Sequence, residues 1–182
     1  MVSLADYVDR KSKLLCIIKR LPVLFKYAVI DIETTGLRFK DDEVVAFGLA
    51  YRKYLLGCVR MYANAQEFRE LVRDVVMSLL SDGVRVYAWN KDFEESFLDI
   101  YGIRELQLRD FEKKDESLRL GIDVIVNGKD VPKLWKRWLE YRDAEALLKI
   151  LWRAMYDAYV EAISLYRKHL HYVNYTKKVI EP

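Results

Sequence analysis

The chain has 182 residues, of which 52% are hydrophobic and 32% are charged, so its composition excludes a disordered protein and is typical of a globular one. That length suits one domain with a sizeable core over residues 1–182, and no stretch is long and apolar enough to cross a bilayer. The net charge of +3 is mildly basic, which permits a nucleic-acid partner without requiring one. These features predict a cytoplasmic protein without a membrane segment.

The N-terminal segment is unlike a signal peptide, because acidic and basic residues interrupt its apolar positions. Apolar residues at helical spacing predict an amphipathic helix over residues 3–20, which Pro22 ends, so residues 1–22 are expected to form a helical extension. The two cysteines, Cys16 and Cys58, lack the spacing of metal ligands, and a reduced intracellular state is expected for them.

The first strand is predicted by an apolar run that ends at Glu33. The T-T-G that follows it and the charged residues 38–43 predict a turn. Two further strands are predicted over residues 44–51 and 55–62. Only three residues connect them, which favours an antiparallel hairpin or meander.

A helix is then predicted over residues 64–81, with Gly83 at its end, and a fourth strand over residues 84–89. The order strand, helix, strand predicts a parallel pairing with a crossover helix. A second helix is expected from Asp92 to Tyr101.

Residues 103–132 are charged and give only weak signals of short helical pieces. Pro132 is expected to start a helix, and a last, long helix is predicted over residues 143–172. The pattern as a whole predicts an α/β fold. Its mixed sheet would have three antiparallel strands first and a further parallel strand, with helices on both faces.

Two carboxylates, Asp31 and Glu33, close the first strand. Positions i and i+2 of a strand point to the same face, so the two acids project together from the strand tip. Neighbouring buried anions repel each other, and a cation between them removes the conflict. Carboxylate oxygens with no His or Cys nearby suit Mg²⁺ or Mn²⁺. Acids that simply face water are the alternative, and the preceding apolar run and following T-T-G favour the metal site.

The run D-I-E-T-T-G-L, residues 31–37, resembles the first motif of the DEDD (DnaQ-like) 3′–5′ exonuclease superfamily, which has a ribonuclease H-like fold. The closest likeness is to its YprB-like ribonuclease H-type group, and it extends over most of the chain. The second motif of the family, N-x-x-F-D, stands here as N-K-D-F-E, residues 90–94, so Glu94 takes the place of the usual Asp. Asp92 is the alternative, but an Asp at a helix start is expected for local capping.

The resemblance also implies an Asp on the last helix. Asp157 lies mid-helix among apolar residues, where an acid costs free energy unless it is paired or binds metal. Asp143 is the alternative third-motif acid, and it also fits the N-cap of that helix. A solvated Asp157 is left open as well, because neighbouring tyrosines blur the apolar stripe.

Active members of the superfamily place a His five residues, or a Tyr four residues, before the last Asp. Before Asp157 those positions hold Trp152 and Arg153, so the water-activating partner is missing. His169 lies about 18 Å further along a helix, too far to reach the same metal. Carboxylates and metal can suffice in ribonuclease H-type enzymes, because the metal itself lowers the pKa of bound water.

The resemblance therefore implies a two-metal exonuclease that releases 5′-mononucleotides from a single-stranded 3′ end of DNA or RNA, with two Mg²⁺ or Mn²⁺ ions. A protein partner or a homodimer is left open. For the two threonines a plain turn role is equally open. The resemblance assigns metal binding and catalysis to Asp31, Glu33, Glu94 and Asp157, and substrate binding to Thr34, Thr35, Leu37 and Asn90.

Two other functions compete with this hypothesis. The missing His or Tyr favours a nucleic-acid-binding domain that keeps the fold without catalysis. The D-I-E-T-T run is also a variant of the D-x-D-x-T signature of haloacid-dehalogenase-like phosphotransferases, although that family requires Asp at the position of Glu33. Activity on small phosphate esters would separate this last function from a nuclease.

Overall fold

A mixed β-sheet forms the centre of the protein in the computed structural model, which describes residues 13–122 and 126–180. Its strand order is β2–β1–β3–β4, with an antiparallel β1–β2 pair and parallel pairing elsewhere. The elements in chain order are β1 (Leu14–Thr34), β2 (Val44–Arg60), α1 (Ala65–Ser81), β3 (Val86–Ala88), α2 (Lys91–Leu98), β4 (Arg104–Glu105), α3 (Asp110–Arg119), a 3₁₀ turn (Gly128–Asp130), α4 (Val131–Tyr141) and α5 (Ala144–Ile180).

The predicted N-terminal helix is wrong where the structure describes it, because residues 14–20 form the first part of β1 and pair with residues 54–60 of β2. A continuous apolar run fits a strand as well as a helix, and here the pairing with β2 decides between them. Cys16 lies opposite Cys58 in this pairing and forms a disulfide with it, so the expected free thiols are also wrong. The predicted helix over residues 3–12 lies outside the described residues.

Strand β2 bends back on itself. Gly48 and Gly57 both lie against Met155 of α5: a Cβ at Gly57 would be 2.9 Å from that of Met155, and one at Gly48 would overlap the carbonyl oxygen of Ala154. The two glycines are nine residues apart, and in an extended strand they would be separated by about 30 Å, so β2 is strongly bent between them. Arg52, which lies between the two glycines, has a φ of 52°. The predicted hairpin of residues 44–51 and 55–62 is wrong, because these residues form one strand whose two parts both pair with β1, so the three predicted antiparallel strands are one antiparallel pair.

The two faces of β1 carry different helices. Alternate residues Ala28, Ile30 and Ile32 pack in one apolar cluster with the buried residues of α1 and α2. Val29 points the other way and packs in a cluster with Met155 and Ala162 of α5. Helices on both faces were predicted, and this is confirmed. Since side chains alternate along a strand, Asp31 and Glu33 share the α5 face with Val29.

Helix α1 and strand β3 agree with the sequence prediction. The Asn64 side chain caps α1 by accepting a hydrogen bond from the Gln66 backbone at 2.7 Å, and the helix ends just before Gly83, whose φ is 73°. Strand β3 does pair in parallel, but its partner is β1 and not β2, the strand that precedes α1, so the predicted pairing across the crossover helix is wrong. Helix α2 is shorter than predicted, because Asp99 adopts a left-handed conformation and ends it.

Strand β4 and helix α3 lie in the stretch whose sequence signals were weak. Helix α3 is held on α5 largely by ion pairs rather than by an apolar stripe: Glu116 lies 3.0 Å from Arg167, and Lys168 lies 3.1 Å from Glu112. Hydrophobic periodicity cannot detect such a helix. Among the helices of the described ranges, none has both the length and the apolar character needed to span a bilayer.

Candidate metal centre

Three acids from two distant parts of the sequence meet between β1 and α5. Each of Asp31, Glu33 and Asp157 places a carboxylate oxygen within 4.8 Å of those of the other two. The alternation of β1 directs the first two toward α5, and Asp157 lies on the side of α5 that faces the sheet. The structure thus brings together the acid pair of the first motif and the acid preferred for the third.

Glu94 lines the same cleft from α2 but stands outside this three-acid group. It is 4% exposed, and with Asp31 and Glu33 it borders a cleft of about 530 Å³. The side chain of Asp92, the alternative residue for the second motif, is 81% exposed and pairs with the neighbouring Lys91 at 3.2 Å. Of the two residues considered for the second motif, only Glu94 can contribute to a buried site.

Asp143 is placed away from the cluster. It caps α5, because its Oδ1 accepts a hydrogen bond from the Ala146 backbone at 3.1 Å, and its other oxygen pairs with Arg137. These contacts and the charge of Arg137 hold the pKa of Asp143 below its usual range. Its role is local, as the capping interpretation predicts.

A fifth acid, Glu161, was not identified from the sequence. It lies one helical turn beyond Asp157 and is completely buried. Its spacing of i+4 from Asp157 is the signal that could have found it, since residues four apart share a helix face. Lys113 of α3 binds both acids, with its Nζ 2.7 Å from Glu161 and 3.2 Å from Asp157.

The second cation of the cluster is Arg153. Its Nε lies 2.6 Å from Glu33 Oε1, without the alignment of a hydrogen bond, and its terminal nitrogen lies 3.0 Å from Asp157. The guanidinium also donates a hydrogen bond to the Val126 carbonyl at 2.6 Å. Arg153, four residues before Asp157 on α5, thus neutralises acids from both β1 and α5.

The five carboxyl groups outnumber the two cations. Burial raises the pKa of Asp31 well above its usual value, and repulsion by Glu33 and Asp157 adds to the effect. Burial also raises the pKa of Glu33 to about 7, against the attraction of Arg153. The same cause raises the pKa of Glu161 to about 7 and that of Glu94 well above its ordinary value. Without further positive charge, the cluster retains protons near neutral pH.

Several of these carboxylates have oxygens that no donor reaches. Asp31 keeps some exposed surface, but its Oδ2 is buried without a hydrogen-bond partner, and so are Oε2 of Glu94 and Oε2 of Glu161. Buried polar atoms are usually paired, and unpaired oxygens in a negatively charged cluster are what a divalent cation satisfies. The donor set is carboxylate only, with no His or Cys, and therefore fits Mg²⁺ or Mn²⁺.

The residues assigned to substrate binding fall into two pairs, one whose hydroxyls are engaged in the turn after β1 and one that lines the cleft. The hydroxyl of Thr34 donates to the Gly36 carbonyl at 2.5 Å, and that of Thr35 accepts from the Glu43 backbone at 2.9 Å, so both stabilise the turn after β1. Leu37, which is 85% exposed, and Asn90 line the cleft. The cleft position of these last two agrees with the proposed contact to substrate.

His169 contributes nothing to the acid cluster. Its Nδ1 lies 2.9 Å from the Leu165 carbonyl, and its ring stacks on Tyr27 at a centroid distance of 6.0 Å. The distance argument from the sequence is confirmed.

Replacing Lys113 by Met is expected to lower the free energy of unfolding by about 3 kcal/mol or more in the metal-free protein, because Asp157 and Glu161 would stay buried without their cation. The matched double variant Lys113→Met/Glu161→Leu removes both partners and should recover most of the loss. Urea unfolding at pH 8 with a chelator measures both values. A single variant as stable as the wild type would show that Lys113 does not hold these acids.

The fold and site together define a mixed α/β protein with a buried carboxylate cluster at a cleft. No family model matches the chain. It is similar to the uncharacterized protein MJ0365 of Methanocaldococcus jannaschii, with 29% identity over 154 residues that cover 68% of this chain and 84% of that protein. This similarity supplies no activity, so the function has to be argued from the site.

Proposed function

We propose that the protein is a metal-dependent nuclease of the DEDD type with a ribonuclease H-like fold. The observation that carries the proposal is the convergence of Asp31, Glu33 and Asp157 in a buried group beside a cleft. Structural ion pairs rarely need three acids at one point, whereas a site for divalent cations does. The mixed sheet supports the proposal only in its coarse features, an antiparallel β1–β2 pair and a parallel β3 beside β1, since the resemblance implies three antiparallel strands.

The acids have separate roles in this proposal. Asp31 would hold both Mg²⁺ or Mn²⁺ ions, Glu33 and Asp157 would complete one site, and Glu94 would serve the other. When bound, the ions supply an activated water at neutral pH and positive charge for the leaving oxygen. The chain itself supplies the fixed carboxylates, and Arg153 holds two of them in place.

The cleft itself suits a nucleotide. Its volume of about 530 Å³ lies in the usual range for small-ligand sites. Its apolar walls include Leu37, Trp89 and Phe93, which can pack against a base or sugar while the acids lie at one end. We infer that the protein removes nucleotides from a single-stranded 3′ end of DNA or RNA in the cytoplasm. A cleft of this volume is adequate for such a substrate.

A nucleic-acid-binding domain without catalysis is the second candidate. The position of Arg153 favours it, because a guanidinium between Glu33 and Asp157 neutralises the very acids that would bind metal. The two candidates differ in one respect, since only the nuclease shortens its ligand.

The nuclease proposal is tested with a 5′-labelled single-stranded oligonucleotide and Mn²⁺. We expect products that shorten progressively from the 3′ end, and a loss of about 100-fold or more in rate for Glu94→Gln, because a neutral amide is a weaker ligand. Asp92→Asn, two residues away on the same helix and exposed, should keep the wild-type rate.

Binding of the oligonucleotide without shortening, in Mg²⁺ and in Mn²⁺, would favour the silent binding domain. Equal losses in the Glu94 and Asp92 variants would contradict the assignment of Glu94. A small phosphate ester tested in parallel should not be hydrolysed, which separates the nuclease from a phosphotransferase.

A further inference from the structure

A second cavity adjoins both the acid cluster and the proposed nucleotide cleft. Its volume is about 470 Å³, and it shares the lining residues Trp89, Gly128 and Arg153 with that cleft. Asp157 opens into the second cavity, whereas Asp31 and Glu33 border the first. The acid cluster therefore lies at the junction of two cavities.

The two cavities differ in charge. The first is bordered by three acids, Asp31, Glu33 and Glu94, and by two basic residues, Lys129 and Arg153. Among the described residues that line the second, Asp157 is the single acid, and three are basic. The basic residues of the second cavity are Lys113, Lys114 and Arg153.

Helix α3 holds a cation in place at this junction. The Nζ of Lys113 lies 4.4 Å from the ring centre of Trp89 while it binds Asp157 and Glu161, so its position is fixed. Lys114 follows it as an exposed residue of the same lining, and Asn127 adds a polar group. Two neighbouring ammonium groups, one held by acids and one exposed, are suited to a phosphate group.

The junction between the cavities also depends on Gly128. A Cβ at this position would come within 3.3 Å of the terminal nitrogen of Arg153, so a larger residue would push the guanidinium toward the acids. Because glycine has no Cβ, the backbone at residue 128 can lie close to Arg153, and the guanidinium can line both cavities.

We propose that the second cavity binds the phosphate-linked nucleotide on the far side of the bond that is cut. One strand would then span both cavities, with its terminal nucleotide in the first and its reactive phosphate at the acid cluster. This inference rests on the proposed nuclease function. Once divalent ions balance the carboxylates, Lys113, Lys114 and Arg153 give the second cavity a net positive charge, which suits the negative charge of a phosphodiester.

The test compares two ligands in the presence of Mg²⁺: a nucleoside 5′-monophosphate, which fills only the first cavity, and a dinucleotide with a non-hydrolysable phosphonate linkage, which needs both. Calorimetric titration of Lys114→Ala should show about 10-fold weaker dinucleotide binding and less than a 2-fold change for the monophosphate. Lys114→Arg should retain dinucleotide affinity, because it keeps the charge. Lys136→Ala, an exposed lysine of α4 outside both cavities, is the matched control and should change neither affinity.

Two results would overturn the inference. Lys114→Ala could bind the dinucleotide as tightly as the wild type, as the Lys136 control should, or could weaken both ligands equally; in either case the second cavity is not the subsite. A wild-type protein that binds neither ligand would instead overturn the proposed nuclease function, and the two failures are therefore distinguishable. Thermal unfolding of each variant checks that its fold is intact.

Discussion

Replacing Asp31 by Asn is expected to reduce divalent-dependent hydrolysis by about three orders of magnitude or more, which is roughly 4 kcal/mol in the activation barrier. The same change should stabilise the metal-free protein, because it removes a charge from the point where Glu33 and Asp157 repel it. Activity and stability would thus move in opposite directions. If Asp31 had only a structural role, neutralising it would lower the activity and the stability of the protein together.

The measurement pairs nuclease assays in Mn²⁺ with thermal unfolding in a chelator at pH 7.5. Asp41→Asn is a suitable control, since Asp41 is an exposed acid in the turn after β1 and pairs only with Arg38 among the contacts described. It should leave both quantities unchanged. A less stable Asp31→Asn protein in the chelator would contradict the view that Asp31 is an electrostatic burden without metal.

The site could be predicted as far as local rules reach. Alternation along one strand is sufficient to place Asp31 and Glu33 side by side, and the apolar surroundings of Asp157 are sufficient to mark it as unusual. Glu161 could be found by its i+4 spacing from Asp157, but its pairing with Lys113 could not be found in this way. Their proximity depends on how α3 docks on α5, and the ion pairs between these helices leave no periodic signal in either sequence.

The fold shows the same limit. Helix α1 was predicted well, because its amphipathic pattern and its Asn64 cap are local features. The apolar run of residues 14–20 predicts a helix, because it is ambiguous until residues 54–60 lie beside it. The disulfide between Cys16 and Cys58 depends on that same pairing, which the spacing of the two cysteines in the sequence does not indicate.

The stability of the metal-free protein is expected to fall as the pH rises from about 5 to about 8. Glu33 and Glu161 have an ordinary pKa of 4.5, and in the folded protein burial raises both to about 7. Between these values the folded state keeps protons that the unfolded state has released, so each rise in pH favours unfolding. Each such group contributes about 1.4 kcal/mol for each pH unit. Carboxyls with lowered pKa values, such as Asp143, act below this window and do not offset the loss.

Divalent cations should weaken this dependence, since they replace the protons on the carboxylates and bind only the folded cluster. Urea unfolding between pH 5 and 8 in a chelator should give a falling curve, and the same series in about 10 mM Mg²⁺, a concentration above the affinities of weak divalent-cation sites, should give a flatter and higher one. Glu161→Gln removes one titrating group and should reduce the slope in the chelator without removing the effect of Mg²⁺. If stability in the chelator instead rose with pH, the buried acids would have to be ionised and fully compensated by Lys113 and Arg153, and the cluster would have no need of a metal.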